Sequence, residues 1–174
     1  AYDKVARQLK LDYPGGPKVD KLAKLGEDKY RFPRAMIDSD DYNFSFSGMK
    51  SAVINFVHNA NQRGEAIVPE DLACSFQTAV VEVLITKTKK AIKNLGIKQL
   101  ILAGGVAGNS ELRQQILNLE KELNIEVLIP QMAYCSDNAA MMGAVGYFYY
   151  KNKLFTDPLT LNAKSTIDLE EIHK

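Results

Sequence analysis

The stretch "LILAGGVAGNSELRQQILNLEKELNIEVLIP", residues 100–130, constrains the fold more than any other part of the chain. An apolar run ends in two glycines, turns through small residues and an asparagine, and enters a helical pattern. A second apolar run follows. Two strands joined by one helix lie parallel, and the twist of strand and helix favours a right-handed crossover. The fold class is therefore α/β, with added helices upstream.

Those upstream helices are legible from periodicity and punctuation. "YDKVARQLK" sets Val5 and Leu9 on one face, with Leu11 just beyond, and Pro-Gly-Gly-Pro at 14–17 makes a turn. Pro17 suits the first turn of the next helix, which Gly26 stops. "KYRFPRAM" and "DDYNFSFSG" alternate apolar and polar positions, Phe44 and Phe46 against Ser45 and Ser47, and predict strands or a hairpin. "SGMKSAVINFVHNANQ" predicts a helix carrying Met49, Val53, Phe56 and Val57. The longest helix runs from Pro69, with Glu70 and Asp71 in its first turn and lysines late, to Gly96; that charge order complements the helix dipole. After the second strand, "QMAYCSD" leads into a last helix, "NAAMMGAVGYFYYKNK". The tail from residue 154 has no period.

Bulk numbers exclude several classes. The 174 residues, 46% hydrophobic and 25% charged, suit a globular chain of one or two domains. A net charge of +1 provides no global attraction to a polyanion, so nucleic-acid contact requires a local patch. Cys74 and Cys135 are too few for a disulfide framework, which points to a reducing cytoplasm. No run is long enough for a membrane span. The opening "AYDKVARQLK" lacks a methionine and a signal-peptide pattern and is already helical, which reads as the interior of a longer protein.

Several motifs carry chemistry, each beside a plainer reading. Gly104 and Gly105 let backbone approach a ligand without an intervening Cβ, and the helix behind them aims N–H groups at an anion or sugar. Asn109 caps that helix or binds a ribose. The spacing is not GxGxxG and no acid follows at the dinucleotide distance, which argues against a Rossmann site. Asp137 in "YCSDNAAM" is a capping acid or a metal ligand; His58 and His173 are the only histidines and lack HxxxH-type partners, so further ligands would lie outside the chain. Cys135 beside it reads as a small buried thiol. Asp3 and Asp20, with the Gly-Gly turn, offer acceptors for sugar hydroxyls or are solvated acids. Lys87, Lys89, Lys90 and Lys93 form a solvated face or an RNA-backbone patch. No Ser-His-Asp or Cys-His arrangement assembles.

The order of five motifs adds a resemblance. "YDKVARQLKLDYPGGPKVDKLA", "NFSFSGMKSAV", "DLACSFQTAVVEVL", "LILAGGVAGNSELR" and "YCSDNAAMMGAVGYFYY" follow one another as in the bacterial branch of the TsaD family, the tRNA threonylcarbamoyladenosine enzymes formerly labelled O-sialoglycoprotein endopeptidases. The resemblance covers residues 1–163 and corresponds to the family's C-terminal half; residues 164–174 are an irregular tail. It implies the C-terminal lobe of an actin-like/sugar-kinase/Hsp70 ATPase (ASKHA) fold, with ligand held between two lobes. It implies transfer of a threonylcarbamoyl group from threonylcarbamoyl-AMP to N6 of adenosine 37 in tRNAs reading codons that begin with A. It also implies ATP- or ADP-related nucleotides, accessory proteins of the TsaB and TsaE type, a cytoplasmic location, and one divalent metal, iron or zinc. Carried onto matching positions, Asp3, Gly16, Asp20 and Asn109 are substrate contacts, Gly104 and Gly105 the nucleotide loop, and Asp137 a metal ligand. The family's paired metal histidines and phosphate-binding segment belong to its N-terminal half and have no match here, and no catalytic base is assigned. The chain alone is therefore expected to transfer very little and to bind metal weakly. A non-catalytic scaffold paralogue would be expected to lose the glycine loop and "SDNAA", and both are intact. A metalloprotease would need a metal triad and base that are missing, and a free-standing nucleotide-binding domain is the remaining alternative.

Overall fold

A computed structural model of the chain describes residues 1–163, 165 and 166. The helices are α1 Tyr2–Gln8, α2 Gly15–Ala23, α3 Ser47–Arg63, α4 Pro69–Leu95, α5 Ser110–Leu123 and α6 Ala139–Lys151; the strands are β1 Gln99–Ile101 and β2 Glu126–Leu128. The strands pair in parallel, Gln99 opposite Glu126 and Ile101 opposite Leu128, with α5 between them in the chain. The fold is α/β, mostly helical with a small parallel sheet. The span 1–163 divides into two compact units with the boundary between Ser136 and Asp137. Most of the 164–174 tail, His173 included, lies outside the described residues.

In the first unit α4 is the organising element. One side of it, with Leu72, Phe76, Ala79 and Val83, joins Val5, Val19, Met49 and Val53 from the first three helices. Its other side, with Val81 and Ile92, meets Leu112, Ile116 and Leu119 of α5. Pro69 opens the helix, Glu70 and Asp71 occupy the first turn, and Gly96 closes it at φ 64°. Two glycines permit close helix contacts. A Cβ on Gly15 would stand 2.4 Å from Ala6 Cβ, and one on Gly26 would stand 2.2 Å from the backbone of Glu70. In the second unit α6 is capped by Asn138, whose Oδ1 accepts from Met141 N at 2.9 Å. Among the described residues no helix is long and apolar enough to cross a membrane.

The strands predicted in "KYRFPRAM" and "DDYNFSFSG" do not form: residues 27–46 are turns and irregular backbone. Their polar groups are satisfied by α4 rather than by a partner strand. Asp71 accepts from Glu27 N at 2.8 Å and Lys29 Nζ at 2.9 Å, and Ser75 Oγ accepts from Tyr30 N at 2.9 Å. Arg34 donates to Glu82 at 2.8 Å. Phe44 and Phe46, which alternation placed on one strand face, stack ring on ring at 6.1 Å without a strand.

The lysine group is also reassigned. Lys87 is 1% exposed and donates to Ser39 Oγ, Asp41 O and Asp41 Oδ1 at 2.6, 3.1 and 3.0 Å. Lys90 reaches Ser39 O and Asp40, and Lys89 pairs with Glu122. The group is therefore neither wholly solvated nor a set of unpaired cations awaiting a phosphate backbone. Lys87, followed by Ser39, holds the Asp41 carboxyl far below the usual carboxylate range. Removing Asp41 leaves a buried cation with fewer acceptors, whereas replacing the lysine removes the charge itself. Thermal unfolding should therefore show Asp41→Ala more destabilising than Lys87→Met.

Lys29, and then the Glu27 N–H, lower the Asp71 carboxyl from its ordinary value. A lowered folded value gives stability that is present above the unfolded value, about 4, and is lost as pH falls through the folded one. Denaturant midpoints measured across that acid range should fall for the wild type and fall less for Asp71→Asn. Gly26→Ala should cost about 2 kcal/mol or more, because the clash is with backbone.

Candidate functional site

The site begins where β1 ends. Gly104 has φ 84° and ψ 176°, a backbone region essentially restricted to glycine. A Cβ on Gly104 or Gly105 would meet no heavy atom within 4 Å, so both face open space. The chain does not pass straight into the helix. A 3-10 turn, Gly105–Gly108, intervenes, held by Ala107 N to Gly104 O at 3.0 Å and Asn109 N to Val106 O at 2.9 Å. Asn109 then caps α5, its Oδ1 accepting from Leu112 N at 2.9 Å.

The other end of the Asn109 amide does more than cap. Nδ2 donates to Gln77 Oε1 at 2.7 Å and to Asp20 Oδ1 at 3.1 Å, with Tyr2 OH at 3.5 Å. Asp20 Oδ1 also accepts from Ser110 Oγ at 2.9 Å and Ser110 N at 3.2 Å. Its Oδ2 stands 3.8 Å from Lys24 Nζ, and the Asp20 side chain is 14% exposed. Asp20 is thus no solvated acid. It is a carboxylate with one oxygen engaged by the α5 start and the other facing a more distant ammonium. Burial first, and then the Asp20 charge, push the Tyr2 hydroxyl well above its ordinary value, so it stays a neutral phenol. Its ring meets Phe76 edge-on at 5.0 Å.

Asp3 and the Pro-Gly-Gly-Pro turn form the neighbouring part. Asp3 Oδ1 accepts from Gly15 N at 2.9 Å, placing a carboxylate at the α2 start, where the helix dipole favours it. The close-packed glycine is Gly15; a Cβ on Gly16 would meet nothing within 4 Å, which leaves Gly16 open to solvent or ligand.

Arg113 ties the glycine loop to the exit of the second strand. It donates from Nε to Ala107 O, and from Nη2 to Pro130 O at 2.8 Å and Cys135 Sγ at 3.0 Å. Cys135 is buried, as expected of a small thiol. Asp137 opens the second unit and is exposed; the cap of α6 is Asn138, so the capping role considered for Asp137 is filled by its neighbour. Among the described residues no three His, Cys, Asp or Glu side chains group as a metal site. Asp137 alone does not make one.

The structure therefore joins Asp20 to Asn109 and Ser110, where the glycine loop enters α5, and joins Asp3 to the α2 start. Tyr2, Gln77 and Arg113 are not singled out by residue-level reading. Gln77 had a signal: it is a polar side chain within the apolar run of α4, and a buried amide must find a partner.

These residues lie within the span matched by one family profile, TsaD: tRNA N6-adenosine threonylcarbamoyltransferase, over residues 1–144. The chain belongs to the TsaD family. It is 52% identical over 171 residues to the tRNA N6-adenosine threonylcarbamoyltransferase of Staphylococcus carnosus (strain TM300), covering 98% of this chain and 50% of that protein. It is 53% identical over 171 residues to the protein of that name from Staphylococcus aureus (strain Newman), with the same 98% and 50% coverage. The chain thus spans about half the length of these TsaD relatives.

Asn109→Ala removes the α5 cap, at a cost of about 1 kcal/mol. It also strips donors from buried Gln77 and from Asp20, so the total loss should exceed the cap alone. Asn109→Ser, which retains a capping oxygen, should recover only part of the stability in urea unfolding.

Proposed function

We propose that this chain is the C-terminal, nucleotide-side part of an ASKHA-type enzyme that transfers threonylcarbamoyl from threonylcarbamoyl-AMP to N6 of adenosine 37 in tRNA. The observation that carries this reading is the Asp20–Asn109–Ser110 junction beside two open glycines. It is a pre-oriented carboxylate and a ligand-accessible backbone loop at the C-terminal end of a parallel strand, where α/β sheets hold ligands. The roughly 53% identity to proteins named for this transfer supports it.

In this reading Asp20 Oδ2 and Asp3 accept hydrogen bonds from the nucleotide's ribose hydroxyls, and Gly16 admits the sugar. Gly104 and Gly105 let the backbone lie against the nucleotide, and Asn109 contacts the substrate while holding Asp20. These groups bind and orient; none supplies a proton or a nucleophile, and orientation of the two reactants is their contribution to rate. Asp137 is one proposed ligand of a divalent metal, iron or zinc, whose other ligands come from outside this chain. One carboxylate suits such a set without defining it. The other proposed partners are tRNA, ATP- or ADP-related nucleotides and accessory proteins of the TsaB and TsaE type, in the cytoplasm.

The test is reconstitution of the complete protein that contains this chain with threonylcarbamoyl-AMP and unmodified tRNA, scoring modified adenosine by mass spectrometry. The complete protein should form the modified nucleoside, and Asp20→Ala should lower kcat/KM by about a hundredfold, as expected for losing a hydrogen-bond acceptor and misplacing the sugar. The 174-residue chain alone should transfer almost nothing. Robust transfer by the chain alone, or an Asp20→Ala enzyme of wild-type efficiency, would contradict the reading.

A further inference from the structure

The buried amide of Gln77 is used by none of the roles above. It lies in the middle of α4, 5% exposed, with Oε1 2.7 Å from Asn109 Nδ2. The Asn109 amide has two protons and one carbonyl. The carbonyl is taken by the α5 cap, and the two protons go to the nearer acceptors, Gln77 and Asp20, with the Tyr2 hydroxyl farther off at 3.5 Å. Turning the amide over would set its oxygen against two acceptors and leave the Leu112 N–H facing an NH₂ group. The orientation of Asn109 is therefore fixed from three sides, of which Gln77 is the buried one.

We propose that Gln77 is a positioning residue for nucleotide binding: by accepting one Asn109 proton it commits the other to Asp20 Oδ1, and so turns Asp20 Oδ2 toward the ligand. The inference rests on the nucleotide-site reading above. Gln77 touches no ligand in this account; it acts through Asn109. Helix α4 thereby serves as the rigid support of a contact made by residues of α2 and the α5 cap. The side chain is suited to this because it offers a neutral acceptor. A carboxylate at the same place would also accept but would add a negative charge near Asp20, and an apolar side chain would leave that Asn109 proton only the more distant Tyr2 hydroxyl.

The experiment is an NMR titration with AMP of the isotope-labelled complete protein that contains this chain, reading backbone amides at Gly104, Gly105 and Ser110 and the side-chain NH₂ of Asn109. Gln77→Met retains length without a strong acceptor and should weaken AMP binding about tenfold, with an upfield move of one Asn109 NH₂ proton. Asn109→Ser, which retains a capping oxygen and loses the amide donors without adding charge, should weaken AMP at least as much, and the double variant with Gln77→Met should be no weaker than the weaker single one. Unchanged Asn109 NH₂ resonances and unchanged affinity in Gln77→Met overturn the proposal. So do additive losses in the double variant, which mark a merely structural role. If wild type shows no response to AMP, the nucleotide-site reading fails; the Asn109 NH₂ resonances then still report whether Gln77 orients Asn109.

Discussion

A helix that must be buried on two sides fixes nearly everything else in the first unit. The apolar residues of α4 divide between two clusters, one shared with the first three helices and one with α5. Such a helix cannot present a simple polar face to water, so its polar side chains must find protein partners instead. They do. Asp71, Ser75, Glu82, Lys87 and Lys90 secure residues 27–41, and Gln77 secures the start of α5. Every buried side-chain nitrogen and oxygen among the described residues has a partner.

This constraint links packing to the site. Because α2 and α5 both rest on α4, the carboxylate of Asp20 and the cap of α5 arrive at the same place from residues 89 apart. Neither needs a ligand to find the other. A site prepared in this way spends less binding energy on ordering its own groups, which is what orientation-dependent chemistry requires. The glycine loop has the opposite character: Gly104 takes a backbone angle that other residues avoid, and no side chain covers it. One part of the site is held by side chains, and the other is left bare for backbone contact.

Much of the fold was legible because punctuation and periodicity agreed. Pro69 and Gly96 bound α4, the two apolar runs became the parallel pair, and Asn109 took its cap position. What was not legible depended on partners far along the chain. Residues 27–46 alternate like a strand, yet their N–H groups and charges are met by α4 side chains more than 40 positions away. Lys87 looked like one of a solvated group, and only the return of Asp41 makes its burial tolerable. Of the two adjacent glycines, substrate matching selected Gly16, whereas contact with Ala6 makes Gly15 the one that packing requires. The aspartates told the same story: Asp20 is read as an exposed acid until α5 is seen to bring Ser110 and Asn109 to it.

In the proposed function Asp20, aimed by the α5 cap, is the sugar-binding acceptor of a TsaD-family nucleotide site. A crystal structure of the complete protein with a non-transferring threonylcarbamoyl-AMP analogue measures this directly. A ribose hydroxyl is expected within hydrogen-bond distance of Asp20 Oδ2, with Oδ1 still bonded to Ser110 and Asn109 and the nucleotide lying along Gly104 and Gly105. A nucleotide bound away from Asp20, or an Asp20 carboxylate that leaves Ser110 and Asn109 to meet it, would contradict the account.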